Sequence, residues 1–357
     1  MRGRHAVKNL ERILLRSGRL RDILRRYPLA RRVYLATLAT SFSRESRGVI
    51  AGLVANRTTA LAQSQSRLSY YSLRRQVHRL EKGLISSPRR DVFAADYAPQ
   101  VVAALAADPT YWRKTDPDLY HWAMAVLSDY FDVIDYSRDI ALLEARHDFL
   151  ALKTDITADE LEGFAPYPAG ERPPLTVDYD DLHQLFQRRR SVRWYEPTPV
   201  SREVLDQALI AASQAPSACN RQPYRFVIAD EPADAQHLGG IAFGTTGFSQ
   251  QFPCCIALVG DLSAFSDIRD RHVIYIDGGL VAMSFVLACE SLGLATCIIN
   301  WPDLPEIDDE ARALLGLPDH EQIIVLISVG YASADGGVPR SVKKDLPLIR
   351  EYRAPQV

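Results

Sequence analysis

No CxxC pair occurs in these 357 residues, and the five cysteines (Cys219, Cys254, Cys255, Cys289, Cys297) all fall in the second half. An odd number without framework spacing argues against a disulfide-stapled fold, a zinc site or a redox disulfide, and for reduced thiols in a cytoplasmic setting. Cys254 and Cys255 adjoin in "CCIALVG", where a strand would turn them to opposite faces as small buried hydrophobes. An apolar leader is missing too, because the N-terminus is charged throughout. So is GxGxxG, the glycine turn of dinucleotide-binding folds. The one run that suggests a membrane span, 278–299, is interrupted by Glu290, and Gly293 reads as a helix stop. A fully buried helix at a domain or subunit centre is the expectation there.

What is present is an ordinary soluble composition, 47% hydrophobic and 24% charged, in a chain long enough for two cores. The net charge of -2 hides an asymmetry. Of 42 basic and 44 acidic residues, eleven basic and two acidic fall within 1–32, leaving 31 and 42 for the rest. A cationic arm therefore precedes an acidic body.

Apolar periodicity predicts helices over 6–27, 30–55, 67–84, 91–107, 117–135 and 138–150. Four prolines in "GFAPYPAGERPPLTVDYDD" make 163–181 an extended linker between a helical N-terminal domain, 1–162, and a second domain, 182–357. In the second domain a helix is expected from Leu182 to Gln187, and another after Ser201, its cap. Strands are expected at Phe226–Ala229, Cys254–Val259, Ala295–Ile299 and Ile323–Val329, with an apolar helix over 278–292. The layout is α+β: a central sheet flanked by helices, plus an all-helical N-terminal domain.

Three polar clusters in the second domain could carry chemistry. "RRRSVRWYEP" offers Arg189, Arg190, Ser191 and Arg193, guanidiniums and a hydroxyl suited to gripping a phosphate, or else a solvated helix end. "APSACNRQPYRF" places Pro216, Ser217, Asn220 and Gln222 at the mouth of a buried strand. The amides there suit a flat heterocycle bearing carbonyl and N–H groups, or they simply satisfy one another in a turn. "VGYASADGGVPRSVKK" ends a strand and carries Arg340, Lys343 and Lys344, either a second phosphate grip or a surface loop.

In that order, "RRSVRWY", "APSACNRQPYRF", "ACESLGLATC" and "VGYASADGGVPRSVKK" resemble the motifs of the nitroreductase family of FMN-dependent flavoproteins, over about 182–350. The resemblance implies that Arg189, Arg190, Ser191 and Arg193 hold the FMN phosphate and ribityl chain, with Lys343, Lys344 and Arg340 completing the phosphate site. It implies that the 216–222 loop lines the isoalloxazine ring and that backbone near Ile298 and Ile299 approaches its N5. NADPH or NADH would be the electron donor, a small aromatic or conjugated molecule the acceptor, and a homodimer the assembly, with no dedicated acid–base residue and no metal. Two alternatives stay open: an FMN-dependent dehydrogenase or reductive dehalogenase acting on a specialised metabolite, and a non-catalytic flavin-binding scaffold or membrane-associated partner. The connection from the 254–260 strand to the apolar helix is short for the family, so the helical first half is the expected cover of the acceptor pocket.

Within the first half, Arg74, His78, Glu81 and Lys82 fall near one helical face, where a surface salt-bridge ladder is the expected role and a substrate or phosphate clamp the alternative. His78 and Glu81 alone are too few for a metal. The arm over 1–32 is a candidate for peripheral contact at the inner face of an anionic membrane, or for packing on the acidic body. Nucleic-acid binding has no recognition fold behind it.

Overall fold

The computed structural model describes Ile23, residues 26–37, 40–62, 68–137 and 139–353. Most of the cationic arm, and with it the expected helix over 6–27, lies outside these residues. Seven helices are described in the first half: α1 Pro28–Thr37, α2 Thr40–Ala62, α3 Tyr70–Leu84, α4 Ala98–Ala107, α5 Pro109–Thr115, α6 Pro117–Val133 and α7 Ile140–Lys153. A single turn, Ala158–Leu161, follows.

Their ends are set by local chemistry. Ser69 Oγ accepts the Ser72 amide at the start of α3. Asp108, Asp116 and Asp139 cap α5, α6 and α7 in the same way, the first two followed by proline at the first helical position. Two such Asp-Pro pairs, in "DPTYWRKTDPD", cut out α5, a helix that apolar periodicity missed. The expected 30–55 helix is two helices, and the expected 91–107 helix begins only at Ala98, because 91–97 is irregular. From α3 to α7 a core closes on Leu73, Val77, Leu80, Leu119, Tyr130, Phe131 and Phe149.

α2 packs elsewhere. Gly48 and Gly52 share one face of it, and a Cβ on Gly52 would lie 2.7–2.8 Å from the side chain and backbone of Leu262. Val49 and Leu53 join Leu262, Phe265 and Ile274 in a small cluster of their own. Asn56 Nδ2 donates to the Ser263 carbonyl at 2.7 Å. Arg44 pairs with Asp308 and, at 2.9 Å, with Asp309. A helix from the first half thus belongs to the packing of the second.

The second half contains α8 Tyr179–Arg188, α9 Arg202–Ala212, α10 Pro232–Ile241, α11 Val273–Ser291 and α12 Pro305–Leu315. α8 starts three residues earlier than expected, since Asp178 accepts the Asp181 amide at 2.8 Å. Residues 167–184 are exposed throughout. The sheet comprises β1 Tyr224–Ala229, β2 Cys254–Asp261, β3 Ala295–Asn300 and β4 Glu321–Gly330. All four were expected, each extended by one to three residues. They are antiparallel in the order β1-β2-β4-β3.

Alternation along β2 feeds two cores. Cys255, Ala257 and Val259 meet α10 and α12 on one face, while Cys254, Ile256 and Leu258 meet α9 and α11 on the other. The adjacent cysteines do point opposite ways.

Within one chain α11 is buried on one side, and burial of the other side at a subunit centre is not tested by a single chain. Ile274, Asp277, Val281, Phe285 and Cys289 face the sheet, but Ile276 (61% exposed), Leu280 and Met283 form an open apolar stripe. This is one helix among the described residues with the length and hydropathy to cross a membrane, yet its other face packs on the sheet.

Candidate functional site

The arginine segment leaves α8 and runs along the free edge of β3. The Val192 amide donates to the Thr296 carbonyl at 3.0 Å, and Ser191 bridges Thr296 in parallel register. Tyr195 pins the segment from beneath, its buried hydroxyl meeting the Val192 carbonyl at 2.7 Å and Ser328 Oγ at 2.7 Å. Arg188 is taken by Glu290 at 2.9 Å. Arg189, Arg190 and Arg193 are half-buried and have no acidic partner among the described residues. Arg190 and Arg193 donate only to carbonyls of their own segment, of Arg189 and Ser191. Arg193 also lies 5.7 Å above the Phe248 ring. Uncompensated guanidiniums held at a sheet edge want an anion.

Because Thr296 offers its carbonyl outward, strand alternation turns the main-chain groups of Ile298 and Asn300 to the same free edge. Ile298 is 40% exposed there, whereas Ile299 is buried in the core. Burial pushes the Cys297 thiol up, and Arg193, Ser191 and Arg189 oppose that shift, which places all three beside β3.

The 216–222 loop is strained. Cys219, Asn220 and Gln222 all have left-handed backbone, with φ of 56°, 50° and 52°. For Cys and Gln this costs about 1 kcal/mol or more each; Asn tolerates it better. Three contacts offset that cost. Ser217 Oγ accepts the Gln222 amide at 3.0 Å. Asp277, on the buried face of α11, accepts the Ala218 amide at 3.1 and 3.2 Å. Arg74 Nε, from α3, donates to the Asn220 carbonyl at 2.9 Å. Hydrogen bonds to charged groups contribute about 1.5–3 kcal/mol each. The Gln222 and Asn220 side chains pair at 2.9 Å, and Pro216 sits exposed at the loop's start.

Burial raises the Asp277 carboxyl above its usual range, against the opposing Ala218 amide and nearby Arg221. Arg221 is buried against the Phe265 ring at 4.8 Å, and desolvation lowers its pKa. The Tyr224 hydroxyl lies buried beneath the loop with no partner among the described residues.

The two clusters do not meet within one chain. The loop touches α11 at Asp277, and the arginine segment touches it at Glu290. The two contacts are thirteen residue steps apart along the helix, about 20 Å at 1.5 Å per residue. They also lie on opposite edge strands. The third cluster stands apart as well: the tail begins beside Trp194 and Tyr195, but Arg340, Lys343 and Lys344 are exposed, with no ion pair among the described residues.

Residues 186–252 and 243–331 match the family described as the Nitroreductase family. This stretch is a nitroreductase-family domain. The residues before 186 fall outside the match. The chain is 29% identical over 192 residues to an NADH dehydrogenase of Thermus thermophilus, covering 45% of this chain and 91% of that protein. It is 26% identical over 212 residues to iodotyrosine deiodinase 1 of Rattus norvegicus, covering 51% and 72%. Among solved structures it is similar to an FMN-dependent nitroreductase of Clostridium difficile R20291, with 23% identity, a TM-score of 0.42 and coverage of 48% and 98%. It is likewise similar to a nitroreductase family protein of Streptococcus pneumoniae TIGR4, with 23% identity, a TM-score of 0.42 and coverage of 48% and 100%.

Motif reading alone missed three residues of the nitroreductase domain's surroundings. Asp277 left a legible trace, a lone acid inside an apolar helix, which burial rules make conspicuous. Tyr195 left none, since a tyrosine after a basic run is ordinary. Arg74 was expected on a surface ladder and is instead 9% exposed, its guanidinium turned to the loop. The rest of that face is as a ladder would be: His78 lies 3.6 Å from Glu81, Glu81 accepts the Trp122 indole at 2.8 Å, and Lys82 is exposed.

Proposed function

We propose that the protein is an FMN-dependent oxidoreductase that takes reducing equivalents from NADH or NADPH and delivers them to a small aromatic or conjugated acceptor. Each site, in this reading, is completed between two copies of the chain. One observation carries it. The segment carrying arginines without acid partners and the strained amide loop are anchored about 20 Å apart along α11, through Arg188 to Glu290 and Ala218 to Asp277, and the face of α11 between those anchors is apolar and open. A two-fold pairing of α11 with its copy, running antiparallel, covers that face and sets the loop of one protomer beside the arginines of its partner.

The donor set fits FMN. Arg189, Arg190, Arg193 and Ser191 would hold the phosphate and ribityl chain, with Arg340, Lys343 and Lys344 as further cations. Ser217, Asn220 and Gln222 would meet the polar edge of the ring, and the outward main chain at Ile298 would face it from β3. Bound FMN would supply the hydride transfer through its N5 atom. The protein's part is to neutralise the phosphate, fix the ring and keep water from it. Five unpaired thiols suit a cytoplasmic protein.

The similarity to iodotyrosine deiodinases favours a second reading, a reductive dehalogenase with a halogenated aromatic acceptor. Halide release under anaerobic turnover separates the two.

The test is an absorption spectrum of the purified protein with FMN, before and after anaerobic NADH or NADPH. Flavin bands that bleach are expected; a colourless protein that refuses FMN overturns the proposal. Mixing Arg193→Ala with Asn220→Ala chains tests where the site lies. Shared sites regain FMN at one of the two positions of each mixed dimer, whereas sites within one chain regain none.

A further inference from the structure

Arg74 is held on every side before it reaches the loop. Its Nη1 lies 3.2 Å from Asp116 Oδ2 and 3.4 Å from the Tyr70 hydroxyl, which itself donates to Asp116 at 2.7 Å. Its guanidinium lies 5.8 Å from the ring centres of both Tyr70 and Trp122. Asp116 is fixed in turn as the cap of α6, accepting the Leu119 amide at 3.0 Å. Its Nε donates to the carbonyl of Asn220, a left-handed residue.

We propose that Arg74 is a positioning residue for the flavin site, and that the helical region acts on that site through it. Resting on the FMN reading above, the assignment adds a role for a part of the chain that the family match leaves out. Arg74 draws the Asn220 carbonyl inward. Asp277 draws the Ala218 amide inward from the other side. Between the two grips, the backbone is kept in the left-handed form that turns the Asn220 and Gln222 amides to the ligand. Since the loop faces the partner's arginines in the proposed dimer, the helical region of one protomer holds the flavin site it shares with the other.

The experiment compares the full-length protein with Arg74→Ala, Arg74→Lys and, as a control in the same helical region, Arg146→Ala, which loses only its stacking on Tyr136. Hydrogen exchange of the 217–222 amides, measured without FMN, reads the grip itself. Arg74→Ala is expected to speed exchange about tenfold or more, the equivalent of one lost charge-assisted hydrogen bond. Arg74→Lys, which keeps the charge and one donor, should fall between, and Arg146→Ala should match wild type. With FMN present, Arg74→Ala should raise Kd about tenfold and change the resolved shape of the bound-flavin bands. If Arg74→Ala unfolds the helical region, Arg74→Lys supplies the same comparison.

Exchange at 217–222 that is the same in the folded Arg74 variants and wild type overturns the proposal. So does an unchanged Kd where wild type binds FMN normally. A wild type that binds no FMN overturns the functional reading instead, and the exchange result still decides the grip.

Discussion

Replacing Asp277 by Asn and by Ala separates what its charge does from what its acceptor oxygen does. The carboxyl is 2% exposed, and its hydrogen-bond partner is the Ala218 amide. Burial raises its pKa above the ordinary 3.8. The folded protein therefore binds this proton more tightly than the unfolded chain. Stability falls as pH rises from about 3.8 through the raised value, and the penalty is fully present above it. Asp277→Asn removes the titration but keeps an oxygen for the Ala218 amide. It loses the charge assistance of that bond, about 1 kcal/mol, and gains the relief of an uncharged buried group. At neutral pH the Asn variant should lie within about 1 kcal/mol of wild type. Asp277→Ala strands the buried amide and should cost about 1–3 kcal/mol. Urea unfolding over roughly pH 4 to 8 measures all three, with the wild-type curve alone carrying the downward limb that Asp277 contributes. Parallel pH profiles for wild type and Asn, or an Asn variant as damaged as Ala, would refute the reasoning and shift the weight to the electrostatic pull of nearby Arg221.

Three further outcomes follow from the packing. In the native protein one thiol, Cys219, should react quickly with a disulfide reagent at neutral pH; burial drives Cys254 and Cys289 up to about 12 and raises Cys255 and Cys297 as well, so two or more fast thiols would contradict their placement. Tyr195→Phe leaves the Val192 carbonyl and Ser328 hydroxyl short of a buried partner, and should cost about 1–3 kcal/mol in unfolding together with a weaker hold on FMN; an unchanged FMN affinity would mean that the arginine segment does not need its anchor. Gly52→Ala would gain about 1 kcal/mol of helix propensity if α2 were free, but here its Cβ meets the Leu262 backbone at 2.8 Å, so a net loss of about 1–3 kcal/mol is expected in thermal unfolding, and a stabilised variant would show that α2 does not pack there.

The sequence by itself determined the local order of the molecule. All four strands, the capped helices around them and the nitroreductase motifs are legible because each rests on short-range rules: period-two burial, a cap before an apolar run, prolines and amides where regular structure must stop. Its misses are of the same local kind. α5 hid between two Asp-Pro pairs, too short to show a period, and the 91–107 helix lost its first turns to an irregular stretch. What only the tertiary structure decided is who meets whom across long separations. That Arg74 reaches Asn220, 146 residues away, and that Arg44 reaches Asp309, 265 away, depends on how whole helices pack. Nothing in either local segment encodes it. The same holds for the distance between the arginines and the loop: their order along the chain suggests one site, but α11 stands between them as a rigid rod of about 20 Å. Physical separation set by a helix is invisible to motif spacing, and it is why the proposed function completes each site with a second copy of the chain.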